Sequence, residues 1–98
     1  MLLGYVRVST IEQNEARQIE ALKARNVERI YIDKQSGKDT NRPQYKEMIE
    51  FMRDGDIIIT ESISRIARKT KDLLDFIDTI TEKNVGFVSL KENIDTDT

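Results

Sequence analysis

Ile57-Ile58-Ile59 is an unbroken run of β-branched apolar residues, preceded by Asp54-Gly55-Asp56. A strand with one wet face alternates in polarity, whereas a strand that is apolar at every position must be covered on both sides, as in the middle of a parallel sheet. The rest of the chain supplies partners for such a strand. Residues 2–8 are rich in apolar and aromatic side chains, 29–33 read as a second strand, and 86–90 as a last one. Helical patterns lie between them. Ala16, Ile19 and Leu22 mark the inner face of a helix over 12–25, opened by Thr10-Ile11-Glu12-Gln13, which matches a capping box. Pro43 suits the first turn of a second helix, whose Tyr45, Met48, Ile49 and Met52 share one face; Leu73, Phe76, Ile77 and Ile80 mark a third. The expected fold is therefore α/β and three-layered, a mostly parallel sheet of four to five strands flanked by helices.

A length of 98 residues accommodates one domain with one core. The chain has no histidine and no cysteine. That excludes a Ser-His-Asp triad, a thiol nucleophile and a Cys/His zinc site, each of which needs imidazole or thiolate chemistry. Folding without disulfides agrees with a cytoplasmic location, and no apolar run approaches the roughly 20 residues of a membrane span, so no membrane partner is expected.

A formal charge of −2 argues against an anionic partner until its distribution is considered. Residues 61–71 carry Arg65, Arg68, Lys69 and Lys71 against Glu61 alone, while 91–98 carry Lys91 against Glu92, Asp95 and Asp97. In an open α/β sheet with right-handed crossovers, the loops after Val8, Asp33 and Thr60 lie at the carboxyl ends of the strands, where ligands bind. Those loops hold Ser9, then residues 36–42, then 61–68. The loop over 35–41, with Ser36-Gly37 and several polar residues, is long enough to be mobile.

Arg7 and Ser9 fall on one side of the first strand by its two-residue period. Ser9 reads either as a nucleophile beside a fixed positive charge or as part of a helix cap, and Thr10 and Gln13 read as caps. Arg7 needs an anionic partner, which a phosphate or an internal salt bridge satisfies equally. Arg65 and Arg68, three apart, fall on one face if 64–68 forms a helical turn, and a solvated face is their ordinary role. Their position beside the same sheet edge as Arg7 and Ser9 gives them another. Three guanidinium groups around a hydroxyl are what phosphoryl transfer requires, namely bidentate donors for the non-bridging oxygens and charge to stabilise five-coordinate phosphorus.

Tyr5-Val6-Arg7-Val8-Ser9-Thr10 with Gln13 and Gln18, then Asp33-Lys34-Gln35-Ser36-Gly37 leading to Arg42-Pro43, then Ser64-Arg65-Ile66-Ala67-Arg68, resemble in order the catalytic domain of the serine recombinases, the resolvase and invertase family. The resemblance implies a resolvase-like fold and site-specific recombination of double-stranded DNA. The residue matching Ser9 attacks a phosphodiester, forming a 5′-phosphoserine link and freeing a 3′-hydroxyl, and reversal rejoins the exchanged strands. Bond energy is conserved, so the resemblance implies neither ATP nor any metal or other cofactor. By the same matching Arg7, Arg65 and Arg68 bind the scissile phosphate, Gln18 and Asp33 organise the site, and Arg42 assists from its loop, to which Ser36 also belongs. Self-association to dimers or tetramers is implied for the full-length protein.

Two features depart from the family pattern. Many members carry an aspartate where this chain has Ser64, and family members continue into a long dimerisation helix and usually a DNA-binding domain, whereas this sequence stops at Thr98. The expectation is a truncated catalytic domain over 1–98, inactive in recombination by itself. With no histidine, the proton acceptor for Ser9 lies among the carboxylates or a displaced water, since arginine holds its charge. Other classes make different demands. A phosphoacceptor signalling domain wants acidic strand ends that hold Mg²⁺. A nucleotide-binding module wants a glycine-rich phosphate cradle, and neither common form of it is present. A catalytically silent protein-interaction domain is a third alternative, against which Ser9 and its arginines argue.

Overall fold

The structure is a computed structural model that describes residues 1–8, 15–34 and 42–95. Its elements are β1 (Leu2–Val8), α1 (Glu15–Lys23), β2 (Arg29–Lys34), α2 (Pro43–Phe51), β3 (Ile57–Thr60), α3 (Ile63–Ile66), α4 (Thr70–Glu82), β4 (Gly86–Ser89) and β5 (Ile94–Asp95). They form one five-stranded sheet in the order β2-β1-β3-β4-β5. The first four strands are parallel, and β5 runs antiparallel to β4. The apolar run of β3 occupies the interior as its composition requires, with Ile58 in the core on one face and Ile59 in the core on the other.

Alternation along β1 sends Leu3 and Tyr5 to one side and Val6 and Val8 to the other. The first side packs against Met48, Met52, Ile66, Phe76 and Ile80 of α2, α3, α4 and their flanks. The second packs against Leu22 of α1, together with Ile59 and Val88. Gly4 points to the α1 side, where a Cβ would lie 2.9 Å from Cδ1 of Leu22 and 3.0 Å from Cγ1 of Val27. Its missing side chain lets the helix and the turn after it close onto the strand.

Local chemistry sets the ends. Asn84, at φ 59°, stops α4: its N–H donates to Thr81, and the N–H of Val85 donates to Ile80 at 2.8 Å. This is the double C-terminal closure usually made by glycine, with Val85 packed back into the core. Asn26, at φ 63°, closes the turn after α1, so Arg25 falls outside the helix expected to contain it. Met52 likewise lies past the end of α2, in extended backbone, yet its side chain is buried. The fifth strand that the expected sheet allowed is the antiparallel β5, only two residues long, which no stretch of the sequence had marked. The anticipated capping box over 10–13 and the loop over 35–41 lie outside the described residues. No helix among the described residues is long and apolar enough to cross a membrane.

Candidate active site

Parallel register brings the carboxyl ends of β1, β2 and β3 together, pairing Arg7 with Asp33 and Tyr5 with Thr60. Ser9, Gln13 and Ser36 lie outside the described residues. What surrounds the end of β1 is described.

Arg7 lies on the same face as Leu3 and Tyr5, toward α3. Its Nη2 donates to the carbonyl of Ser64 at 2.6 Å, and Nη1 of Arg65 donates to the carbonyl of Arg7 at 3.1 Å. The two arginines thus brace the strand end and the α3 turn reciprocally. The ion pairs among the described residues do not include Arg7. Its Nε is buried with no hydrogen-bond partner among those residues. Burial, followed by the nearby charges of Arg68, Arg42 and Arg65, pulls Arg7 below the ordinary arginine range. A guanidinium nevertheless stays charged in a protein, so these groups repel one another across a shared space.

Arg65 and Arg68 reach that space by a route other than the shared helical face expected of them. The helix α3 is a single turn ending at Ile66, and Ala67 is extended, so Arg68 lies beyond the helix. Ser64 contributes its carbonyl to Arg7, and its hydroxyl lies 2.9 Å from that of Ser62. Either hydroxyl can donate in that pair.

Arg42 stands at the start of α2. Its Nη1 donates to the carbonyl of Ile66, and its guanidinium lies over the Tyr45 ring, 3.9 Å from the centroid. Asp33 is buried near the end of β2, where Oδ1 accepts the N–H of Gln44 and Oδ2 the N–H of Tyr45, each at 3.0 Å. It caps α2 from a neighbouring strand, because Arg42 in the cap position has no side-chain acceptor to offer. Oδ2 also accepts the hydroxyl of Tyr5 at 2.9 Å. Burial first and the Asp33 charge second push the Tyr5 phenol upward, with Arg42 opposing, so it stays a hydrogen-bond donor at neutral pH. Asp33 therefore ties Tyr5 and Arg42 to one framework.

Gln18 is not brought into this set by any described contact. It projects from α1, on the opposite face of the sheet, and is fully buried, with neither amide atom hydrogen-bonded among the described residues. Tyr5 and Ser62 were missed by sequence reasoning. Tyr5 had a signal: a phenol two residues before Arg7 in an otherwise aliphatic strand points the same way as that arginine. Ser62 had none, since nothing local distinguishes it from any other loop serine.

The arrangement gathers guanidinium groups, each braced by a backbone carbonyl, at the end of β1, where positive charge can hold an anion. Asp33, with both oxygens engaged by hydrogen bonds, serves as a structural acceptor rather than half of an acidic cation site.

Comparison with known proteins gives concordant results. Residues 2–98 match the family model "Resolvase, N terminal domain". The transposon Tn917 resolvase of Enterococcus faecalis is 39% identical over 98 residues, covering 100% of this chain and 53% of that protein. A DNA-invertase of Enterobacteria phage P7 is 40% identical over 98 residues, again 100% and 53%. Among solved structures, the N-terminal catalytic domain of TP901-1 integrase superposes with a TM-score of 0.82 at 28% identity, covering 99% of this chain and 82% of that one. The chain spans about half the length of the curated relatives it matches.

Proposed function

Since the chain belongs to the resolvase N-terminal domain family, we propose that it is the catalytic domain of a site-specific recombinase that cuts and rejoins double-stranded DNA through a 5′-phosphoserine intermediate on Ser9. The observation that carries this reading is the half-buried Arg7 guanidinium, two residues before Ser9, braced against Arg65 and the carbonyl of Ser64 and under the combined positive field of Arg68, Arg42 and Arg65. Such a cluster is self-repelling and becomes favourable when a phosphodiester enters it.

In the proposed step the Ser9 oxygen forms a bond to phosphorus and gives up its proton, while the bond from phosphorus to the 3′-oxygen breaks and that oxygen gains a proton. Arg7, Arg65 and Arg68 stabilise charge on the non-bridging oxygens. Ionised donors of this kind contribute about 1.5–3 kcal/mol per hydrogen bond. Arg42 adds charge from the α2 side. Asp33 supports the site through Tyr5 and the start of α2, Ser64 seats Arg7 through its carbonyl, and the match to the family assigns supporting roles to Gln18, Gln13 and Ser36. Partners of the intact protein are a DNA recombination site and further copies of itself, in dimers or tetramers, and its location is the cytoplasm.

Incubating the intact protein with a nicked suicide substrate, then mapping the attached residue, tests this directly. Wild type should yield a DNA adduct on Ser9, Ser9→Ala none, and Arg65→Ala or Arg68→Ala a folded protein slowed roughly 10²–10³-fold. An adduct that persists in Ser9→Ala overturns the assignment.

A further inference from the structure

Glu92 lies in the connection between β4 and β5, and the recombination chemistry gives it no role. Its Oε1 accepts the N–H of Ile63, the first residue of α3, at 3.1 Å. The same oxygen accepts the hydroxyl of Ser89, a fully buried residue at the end of β4. Beside it the N–H of Leu90 donates to the carbonyl of Thr60 at 3.0 Å, and that of Lys91 to the carbonyl of Glu61 at 2.7 Å. Three successive residues of the connection thus hold residues 60, 61 and 63, on the chain leading into Ser64 and Arg65.

The α3 turn needs this external hold. A helix of four residues cannot sustain itself by its own hydrogen bonds. Its N-cap residue, Ser62, makes no side-chain capping bond, and its hydroxyl is directed to Ser64 instead. Glu92 supplies an acceptor to the first N–H of the helix, from 29 residues away in sequence.

We infer that Glu92 is a positioning residue for the phosphate-binding turn: its carboxylate fixes the start of α3, so that Arg65 stays on the Arg7 carbonyl and Arg7 on the Ser64 carbonyl. What the arginines bind rests on the recombinase reading; that Glu92 places them does not. Because both donors meet a single oxygen, a glutamine presenting its carbonyl oxygen there replaces the carboxylate, whereas alanine leaves nothing.

The test uses Glu92→Ala and Glu92→Gln in the intact protein, with two measurements. In the first, adduct formation on suicide DNA is followed in single turnover over a range of DNA concentrations. Glu92→Ala should be about tenfold slower at saturation, as expected for one lost hydrogen-bonded contact, with the half-saturating DNA concentration unchanged. Glu92→Gln should stay within about twofold of wild type. The second measurement, amide hydrogen exchange, needs no DNA. Glu92→Ala should speed exchange at Ile63 and also at Arg65 and Ala67, whose N–H groups donate to Ser62 and Ile63, while α4 is unchanged. Acceleration confined to Ile63, an alanine variant that reacts at the wild-type rate, or a glutamine variant as slow as alanine overturns the inference. Absence of an adduct in wild type itself counts against the recombinase reading alone, and the exchange pattern still decides whether Glu92 places the turn.

Discussion

All six aromatic residues of the chain, Tyr5, Tyr31, Tyr45, Phe51, Phe76 and Phe87, pack on the side of the sheet covered by α2, α3 and α4. The side under α1 is aliphatic, built from Val6, Val8, Leu22, Ile59 and Val88. Four of the rings form a connected series: Tyr5 meets Tyr45 edge-on at 5.6 Å between centroids, Tyr45 meets Phe76 at 6.3 Å, and Phe76 meets Phe87 at 5.2 Å. At its outer end the Tyr5 hydroxyl reaches Asp33, and the Tyr45 ring carries Arg42. An aromatic side chain with a polar tip can belong to a core and a site together, which an aliphatic one cannot. The difference separates two tasks, with packing alone under α1 and packing that also aims charged groups under α2 to α4.

The largest expected effect separates these tasks directly. Phe76→Ala should lower unfolding stability by about 3–5 kcal/mol, and Leu22→Ala by about 2–5 kcal/mol, both measured by denaturant titration. Only Phe76→Ala removes support from Tyr45 and Arg42, so at a temperature where both variants remain folded it alone should slow DNA adduct formation. Equal slowing by the two variants would break the distinction between the faces.

A smaller effect examines the tightness of the α1 side. Gly4→Ala should cost about 1–3 kcal/mol, because its new methyl meets Leu22 and Val27. In a Leu22→Ala background the cost should fall, with Val27 keeping the remainder, and a double-mutant cycle measures that coupling. Purely additive costs would show that Gly4 is needed for some other reason. The smallest change is Tyr5→Phe, which keeps the ring and removes the bond to Asp33. It should cost about 1 kcal/mol, read from the same titration, since Asp33 retains the two N–H groups of α2.

Much of this arrangement was legible because it follows from periodicity. The apolar run at Ile57 to Ile59 located an interior strand, β1 matched its expected span of 2–8, and the inner faces of α2 and α4 were marked by residues that are buried or pack against the core. The gathering of Arg7, Arg65, Arg68 and Arg42 followed from placing three loops at one sheet edge. What the sequence hid was set by contacts distant along the chain. Asp33 caps α2 from another strand, and Glu92 holds a turn 29 residues earlier. No local pattern carries such information, which is why the 64–68 segment was expected to be a regular helical turn instead of one turn followed by extended chain. The same limit applied to β5, which exists by pairing with β4 rather than by any propensity of two residues.

The order β2-β1-β3-β4-β5 places the earliest strand of this chain between two that come later. On a ribosome, β1 emerges with one flank open and gains its second neighbour only after β3 has cleared the exit, a delay on the order of seconds at about 5–20 residues per second. A nascent chain therefore carries Arg7 well before the Ser64 carbonyl and the Arg65 guanidinium that brace it have been made. Assembly of the arginine cluster is deferred by topology alone until most of the domain has been synthesised.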